Sequence, residues 1–272
     1  MDSKLPFSSK IKTARRYYDA TEDSYLNLCP QQTSMMNMGL WPSETLEEAQ
    51  QKLIIKTILY FKEQTSTTPQ MILEAGSGWG GTRRFFQEAF PDTPYIGVNQ
   101  SKEQILHAEK FNSGIEHTRY LESYIENVIE KLPLNQTYDT FFSIEAAFHF
   151  EEKDTLYSQF INNGTNNFVL AEICLSSRQS IAKERLLRSA LNQAWTKKEY
   201  LSFFTEKGFE HQCTDISSDV FEGIAQYTQT VSPTEFKGDK RVLRQLAESF
   251  NLMHKLAENG QIQYHLFHFW RK

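Results

Sequence analysis

Nothing in the sequence approaches the roughly 18 consecutive apolar residues that a membrane-spanning helix needs. The opening "MDSKLPFSSK" also lacks the apolar core of a secretory signal. A soluble, cytoplasmic protein without stable membrane insertion is therefore expected. Cysteine is scarce: Cys29, Cys174 and Cys213 are odd in number and far apart, which suits reduced thiols and matches no metal-ligand spacing. The histidines form no H-x-x-x-H pair on one helix, so no metal site is expected. A basic excess is missing too. With a net charge of −5 and a pI near 5.9, the chain has no overall field to attract nucleic acid, and a small-molecule partner fits better.

What is present is enough apolar surface for a full core, 39% hydrophobic and 13% aromatic residues in a chain of 272. Apolar runs at "QMILEAG", "PYIGVNQ", "HTRYLE", "YDTFFSIEA" and "NNFVLAEICL" alternate with polar loops and helical patterns, the signature of a parallel sheet built from βαβ units. Helix signals lie between them. Ser101 with Gln104 and Thr196 with Glu199 have capping-box spacing, and Gly208 stands where a helix ends. Residues 1–66 and 218–259 fall outside the alternation; the latter holds a helix from Asp239 with Val242, Leu246, Phe250 and Leu256 on one face. Both are expected to cap the sheet. The alternating "QIQYHLFHFWRK" closes the sheet as a strand, with "FEHQCTDIS" a candidate antiparallel neighbour. The expected organisation is one domain over 1–272: an N-terminal helical cap to residue 66, a core over 67–217, a helical lid over 218–259 and a last core strand over 260–272.

The most informative stretch is "MILEAGSGWGGTRRFF". Gly76, Gly78 and Gly81 follow an apolar strand and open a helix in the pattern G-x-G-x-x-G, so the backbone can turn sharply and approach a ligand at a helix start. Alone, this says only that something polar, often a nucleotide, binds there. Glu74 is more discriminating. A carboxylate beside the loop repels a pyrophosphate and attracts an ammonium, which favours S-adenosylmethionine over a nicotinamide dinucleotide. The competing role for Glu74 is to satisfy loop N–H groups or a surface arginine such as Arg83. The second strand ends in Asn99 and Gln100 where a dinucleotide site would usually place an acid.

Together, "GSGWGG", "GVNQSKEQ" and "SIEAAFHF" make the chain resemble the class I S-adenosylmethionine-dependent methyltransferases. The likeness is to the branch acting on small molecules, of the sarcosine, tocopherol and antibiotic-biosynthesis type, with cyclopropane fatty acid synthases as more distant relatives. It runs from about Tyr17 to the C-terminus. The resemblance implies a Rossmann-like, seven-stranded, mostly parallel sheet with a C-terminal antiparallel hairpin and helical caps. It puts Glu74, Gly76 and Gly78 at the methionine part of the cofactor, with Asn99, Gln100 and Gln104 at the ribose. Gln104 could equally serve its own helix cap. Glu122 and Ser123, with Tyr124, are the candidates near the adenine. Trp79 is expected to pack against the cofactor or the next helix. The N-terminal cap would bring Tyr17, Tyr18, Tyr25, Met38, Gly39 and Trp41 over the site, where aromatic faces favour a sulfonium.

Parallel sheets bind ligands at the carboxyl ends of their strands. The fourth strand therefore carries Ser143, Glu145 and His149 toward the site. His149 is the candidate general base, or else caps a helix or lines the pocket. Glu145 would orient the substrate or His149, or else bond loop N–H groups. The expected reaction is direct displacement, driven by alignment and exclusion of water, on a small and partly apolar metabolite. A cyclopropanating or lipid-modifying enzyme, an inactive adenosine-ligand sensor and a nicotinamide oxidoreductase are the alternatives.

Overall fold

The structure is a computed structural model that describes residues 33–132, 136–179, 191, 193–231 and 239–271. The expectations for Tyr17, Tyr18, Tyr25 and Cys29 lie outside the described residues. Seven strands form one sheet: β1 (Ile72–Ala75), β2 (Tyr95–Asn99), β3 (Thr118–Glu122), β4 (Thr140–Ile144), β5 (Asn167–Leu175), β6 (Glu210–Asp215) and β7 (Ile262–Trp270). Their spatial order is β3-β2-β1-β4-β5-β7-β6. Strands β1 to β5 pair in parallel, and β7 runs antiparallel between β5 and β6. The expected mostly parallel sheet with an antiparallel C-terminal pair is therefore found. "FEHQCTDIS" is the neighbour of the last strand, Cys213 facing Phe267.

Alternation along each strand sends neighbouring side chains to opposite faces. On one face Ile72, Phe142, Val169, Ile173 and Leu266 meet α1 (Leu46–Lys62), α2 (Thr82–Ala89), α3 (Lys102–Phe111) and α6 (Ser217–Thr230). On the other, Leu73, Phe141, Phe168, Leu170 and Phe269 meet α4 (Lys153–Asn162) and α5 (Lys197–Glu206). A small separate cluster of Val242, Leu243 and Leu246 joins α7 (Lys240–Glu258) to Val231 beyond α6. Helix α1 does more than cover one end of the sheet. Its Leu53, Ile54, Ile58 and Phe61 are buried in the same core as β5 and β7.

Local signals set most helix ends. Thr196 and Glu199 form a complete capping box on α5, and Gly208, with φ +82°, follows its last turn. Asp239 caps α7 by accepting from Arg241 N. At α3 only half of the expected box forms. Ser101 Oγ accepts from Gln104 N at 3.4 Å, while the Gln104 side chain points elsewhere. No described helix is long and apolar enough to cross a membrane.

Candidate active site

Strand order reverses between β1 and β4, the place where open α/β sheets leave a crevice at their carboxyl ends. The glycine loop occupies it. After Ala75 the chain turns through Gly76 (φ +82°) and Gly78 (φ +52°), both left-handed conformations that side chains disfavour. A Cβ on Gly76 would stand 2.2 Å from Ala146 Cβ, so the loop is pressed against the segment after β4. A Cβ on Gly78 would meet no described residue within 4 Å. Among the described residues Gly78 therefore borders open space, and a ligand can approach its backbone. Ser77 Oγ and Ser143 Oγ, at the ends of β1 and β4, are buried without a hydrogen-bond partner among the described residues.

Glu74 sits beneath this loop, 1% exposed. Its Oε2 accepts from Thr82 Oγ1 at 2.6 Å and from the Tyr95 hydroxyl, and no described residue donates to Oε1. Burial raises its pKa, and the two hydroxyls oppose that rise. Neither loop amides nor Arg83 supply its partners. Arg83 is not a surface residue: it is fully buried, bonds Thr118 Oγ1 and Gln87 Oε1, and stacks over Tyr95. The apolar stem of an arginine makes such burial affordable when its guanidinium finds acceptors.

At the end of β2, Asn99 Nδ2 donates to Gln104 Oε1 at 2.5 Å, which draws the glutamine away from its own helix cap. Gln104 Nε2 faces Met36 Sδ at 3.6 Å. Next to this amide pair, Gln100, Glu122 and Ser123 line, with Asn127 and Lys131, a recess of about 330 Å³ at the ends of β2 and β3. Ser123 Oγ donates to Tyr124 O. Trp79 is 1% exposed and lies 6.3 Å from the His107 ring on α3.

Residues 33–41 run as a strap across these strand ends. Ser34 O accepts from Gly81 N at 3.2 Å, and Ser34 Oγ bonds His107 Nε2 at 2.9 Å. Gln50 on α1 donates to Asn37 O. Met38 N then donates to both oxygens of Glu145, at 2.9 and 3.1 Å. The strap thus ties the glycine loop, α1, α3 and the end of β4 together.

Glu145 has φ +53°, a strained conformation for a residue with a side chain and one that marks functional positions. Besides Met38, the Tyr264 hydroxyl on β7 donates to Oε1 at 3.0 Å. Burial pushes its carboxyl up to about 7 against these two donors. His149 ends the short 3₁₀ turn Ala147–His149, packed against Phe148 at 4.2 Å. Burial first, and the charge of Lys153 second, push it down to about 4. Its imidazole is neutral at physiological pH and a weak proton acceptor. Of the two residues, the carboxylate has the affinity for a proton that general-base chemistry at neutral pH requires. Behind them, Glu172 on β5 and Lys153 on α4 are buried, their charged forms penalised by burial and favoured by each other.

The motif "SIEAAFHF" points to Glu145 and His149, and the structure brings both to the loop after β4. Sequence reasoning missed Tyr264 and Met38 N–H as partners of Glu145. Tyr264 lies 119 residues away, and no local pattern links them.

These features fit an adenosine-bearing cofactor: a cradle open at Gly78, two orphaned hydroxyls, a neutral amide pair and a polar recess beyond it. A family model described as mycolic acid cyclopropane synthetase matches residues 7–202. No curated protein matches the sequence. Among solved structures, a cyclopropane synthase from Mycobacterium tuberculosis is similar with a TM-score of 0.76 and 18% identity over 100% of both chains. A geranyl diphosphate C-methyltransferase from Streptomyces coelicolor A3(2), solved with Mg2+, geranyl-S-thiolodiphosphate and S-adenosyl-L-homocysteine, gives 0.73 and 15% over 100% of both. A [4+2]-cyclase gives 0.73 and 15% over 99% of both. These similarities establish the Rossmann-like methyltransferase fold. The family match spans well over half of the sequence, and the chain belongs to the mycolic acid cyclopropane synthetase family.

Proposed function

We propose that the protein is an S-adenosylmethionine-dependent methyltransferase acting on an O, N or C atom of a small, partly apolar metabolite. The observation that carries this reading is Glu145, a strained carboxylate held at the end of β4 beside the glycine loop, with its proton affinity brought to about pH 7. When bound, the cofactor supplies an electrophilic methyl group on a sulfonium.

The chain's residues divide the remaining tasks. Gly76 and Gly78 admit the methionine portion, and Glu74 braces the loop from below with Oε1 left for an ammonium. Asn99, Gln100 and Gln104 take the ribose, while Glu122 and Ser123 border the recess for the base. Glu145 accepts the proton that the acceptor atom loses. His149, neutral, lines the pocket. The strap excludes water, which strengthens every polar contact beneath it.

Two measurements test this. S-Adenosylhomocysteine at about 100 times its Kd should stabilise the protein by about 2.7 kcal/mol, a Tm rise of about 5–10 °C, with no rise from NADH. Transfer of a labelled methyl group from S-adenosylmethionine to a panel of hydroxyl, amine and carbon acceptors should fall roughly 100-fold or more in Glu145→Gln and less than about tenfold in His149→Gln. The reverse order would restore His149 as the base, and stabilisation by NADH alone would end the reading. The family match favours one second reading, a cyclopropane-forming enzyme on unsaturated lipid. Vesicles of unsaturated phospholipid in the same labelling assay discriminate it, since only that reading expects label in ring carbon.

A further inference from the structure

Glu145 is held by two donors of different kinds. Met38 N–H belongs to the strap, whereas the Tyr264 hydroxyl belongs to the sheet. Tyr264 stands opposite Ile173 on β5, on the face covered by α1 and α6. Its ring is fully buried and meets Phe221 of α6 edge-on at 6.0 Å. The main chain is pinned as well: Tyr264 N donates to Ser217 Oγ at 2.8 Å, and Ile216 N donates to Tyr264 O at 2.9 Å. β5, β7 and α6 therefore fix where the hydroxyl points.

We propose that Tyr264 is a positioning residue for the reaction: its hydroxyl aims the Glu145 carboxylate and sets the pH at which that carboxylate can take a proton. This rests on Glu145 being the proton acceptor. A donor that bonds the ionised form lowers a carboxyl's pKa, so Tyr264 opposes the upward push of burial. Among the described residues, the other ionisable groups around Glu145 are few. Glu172 on β5 repels it, Lys153 on α4 offsets Glu172, and His149 follows in the same loop. Strap residues 34–41 carry no ionisable side chain, and Asp219 and Glu222 on α6 are exposed.

The test is a carbon-13 NMR titration of the full chain, labelled at glutamate carboxyls and saturated with S-adenosylhomocysteine, with the Glu145 signal identified by its loss in Glu145→Gln. Tyr264→Phe should raise the Glu145 midpoint by about one pH unit. 3-Fluorotyrosine in place of Tyr264, a stronger donor of the same shape, should lower it. A purely structural tyrosine would move neither. If Tyr264→Phe fails to fold, the fluorotyrosine protein decides. An unmoved midpoint in whichever variants bind S-adenosylhomocysteine overturns the proposal. The two layers separate cleanly. Activity lost in Glu145→Gln with an unmoved midpoint in Tyr264→Phe removes the positioning role alone. A moved midpoint with activity intact in Glu145→Gln removes the catalytic reading and leaves the tyrosine's hold on the carboxylate.

Discussion

A carboxyl whose pKa is raised on folding, from 4.5 to about 7 at Glu145, makes stability fall as pH climbs through that window. The folded protein holds a proton there that the unfolded chain has released. The full contribution is at most about 3 kcal/mol, present below pH 4.5 and lost above pH 7. Glu145→Gln removes it. Urea titrations should show the variant gaining up to about 3 kcal/mol on wild type between pH 5 and pH 8; a difference independent of pH would mean that the carboxyl titrates normally. Gly76→Ala should act through sterics and backbone strain together, because its Cβ would stand 2.2 Å from Ala146 Cβ at φ +82°. We expect a loss of about 2–4 kcal/mol by chemical denaturation, with weaker S-adenosylhomocysteine binding in calorimetry. At this scale the sequence was legible in part. Glycine spacing and "SIEAAFHF" located the loop and the end of β4, since such patterns are local. Which of Glu145 and His149 holds a proton near neutrality depends on burial, and which groups meet Glu74 depends on Tyr95, a residue of the neighbouring strand. Neither is written in spacing.

Among the elements, strands were the most readable: β1 to β5 and β7 stand where the apolar or alternating runs lie, and the polar β6 stands where the last strand was expected to find its neighbour. The α5 capping box formed in full for the same local reason. The α3 box did not, because Asn99 offers the Gln104 side chain a competing partner. The strap has no periodicity to announce it. Its attachment depends on Gly39, whose φ is +81° and whose Cβ would stand 2.5 Å from Ala49 Cβ on α1. Gly39→Ala should loosen it while leaving the sheet intact. Hydrogen exchange should then quicken at least roughly tenfold at the Met38 and Gly81 amides, which bond Glu145 and Ser34, with β4 and β5 unchanged. Unaltered protection at those two amides would show that the strap is held by other contacts.

In the whole molecule, one sheet serves two cores, so damage to a shared strand is felt on both faces. Phe269 on β7 is fully buried and stacks on Phe204 of α5 at 4.0 Å. Phe269→Ala should cost about 3–5 kcal/mol. Tryptophan fluorescence and far-UV circular dichroism should still report a single shared urea transition. Two separated transitions would mean that the faces unfold independently. The position of β7 also bears on how the protein is made. It is the last strand in chain order, yet it lies between β5 and β6, so β6 has no partner strand until β7 is synthesised and threads into place. Pairings of this kind close late and leave apolar edges open meanwhile. A nascent chain that has reached only α7 already carries the glycine loop and the Asn99–Gln104 pair, but not Tyr264, the hydroxyl donor to Glu145. The surroundings of Glu145 are therefore completed only when the last strand of the chain is in place.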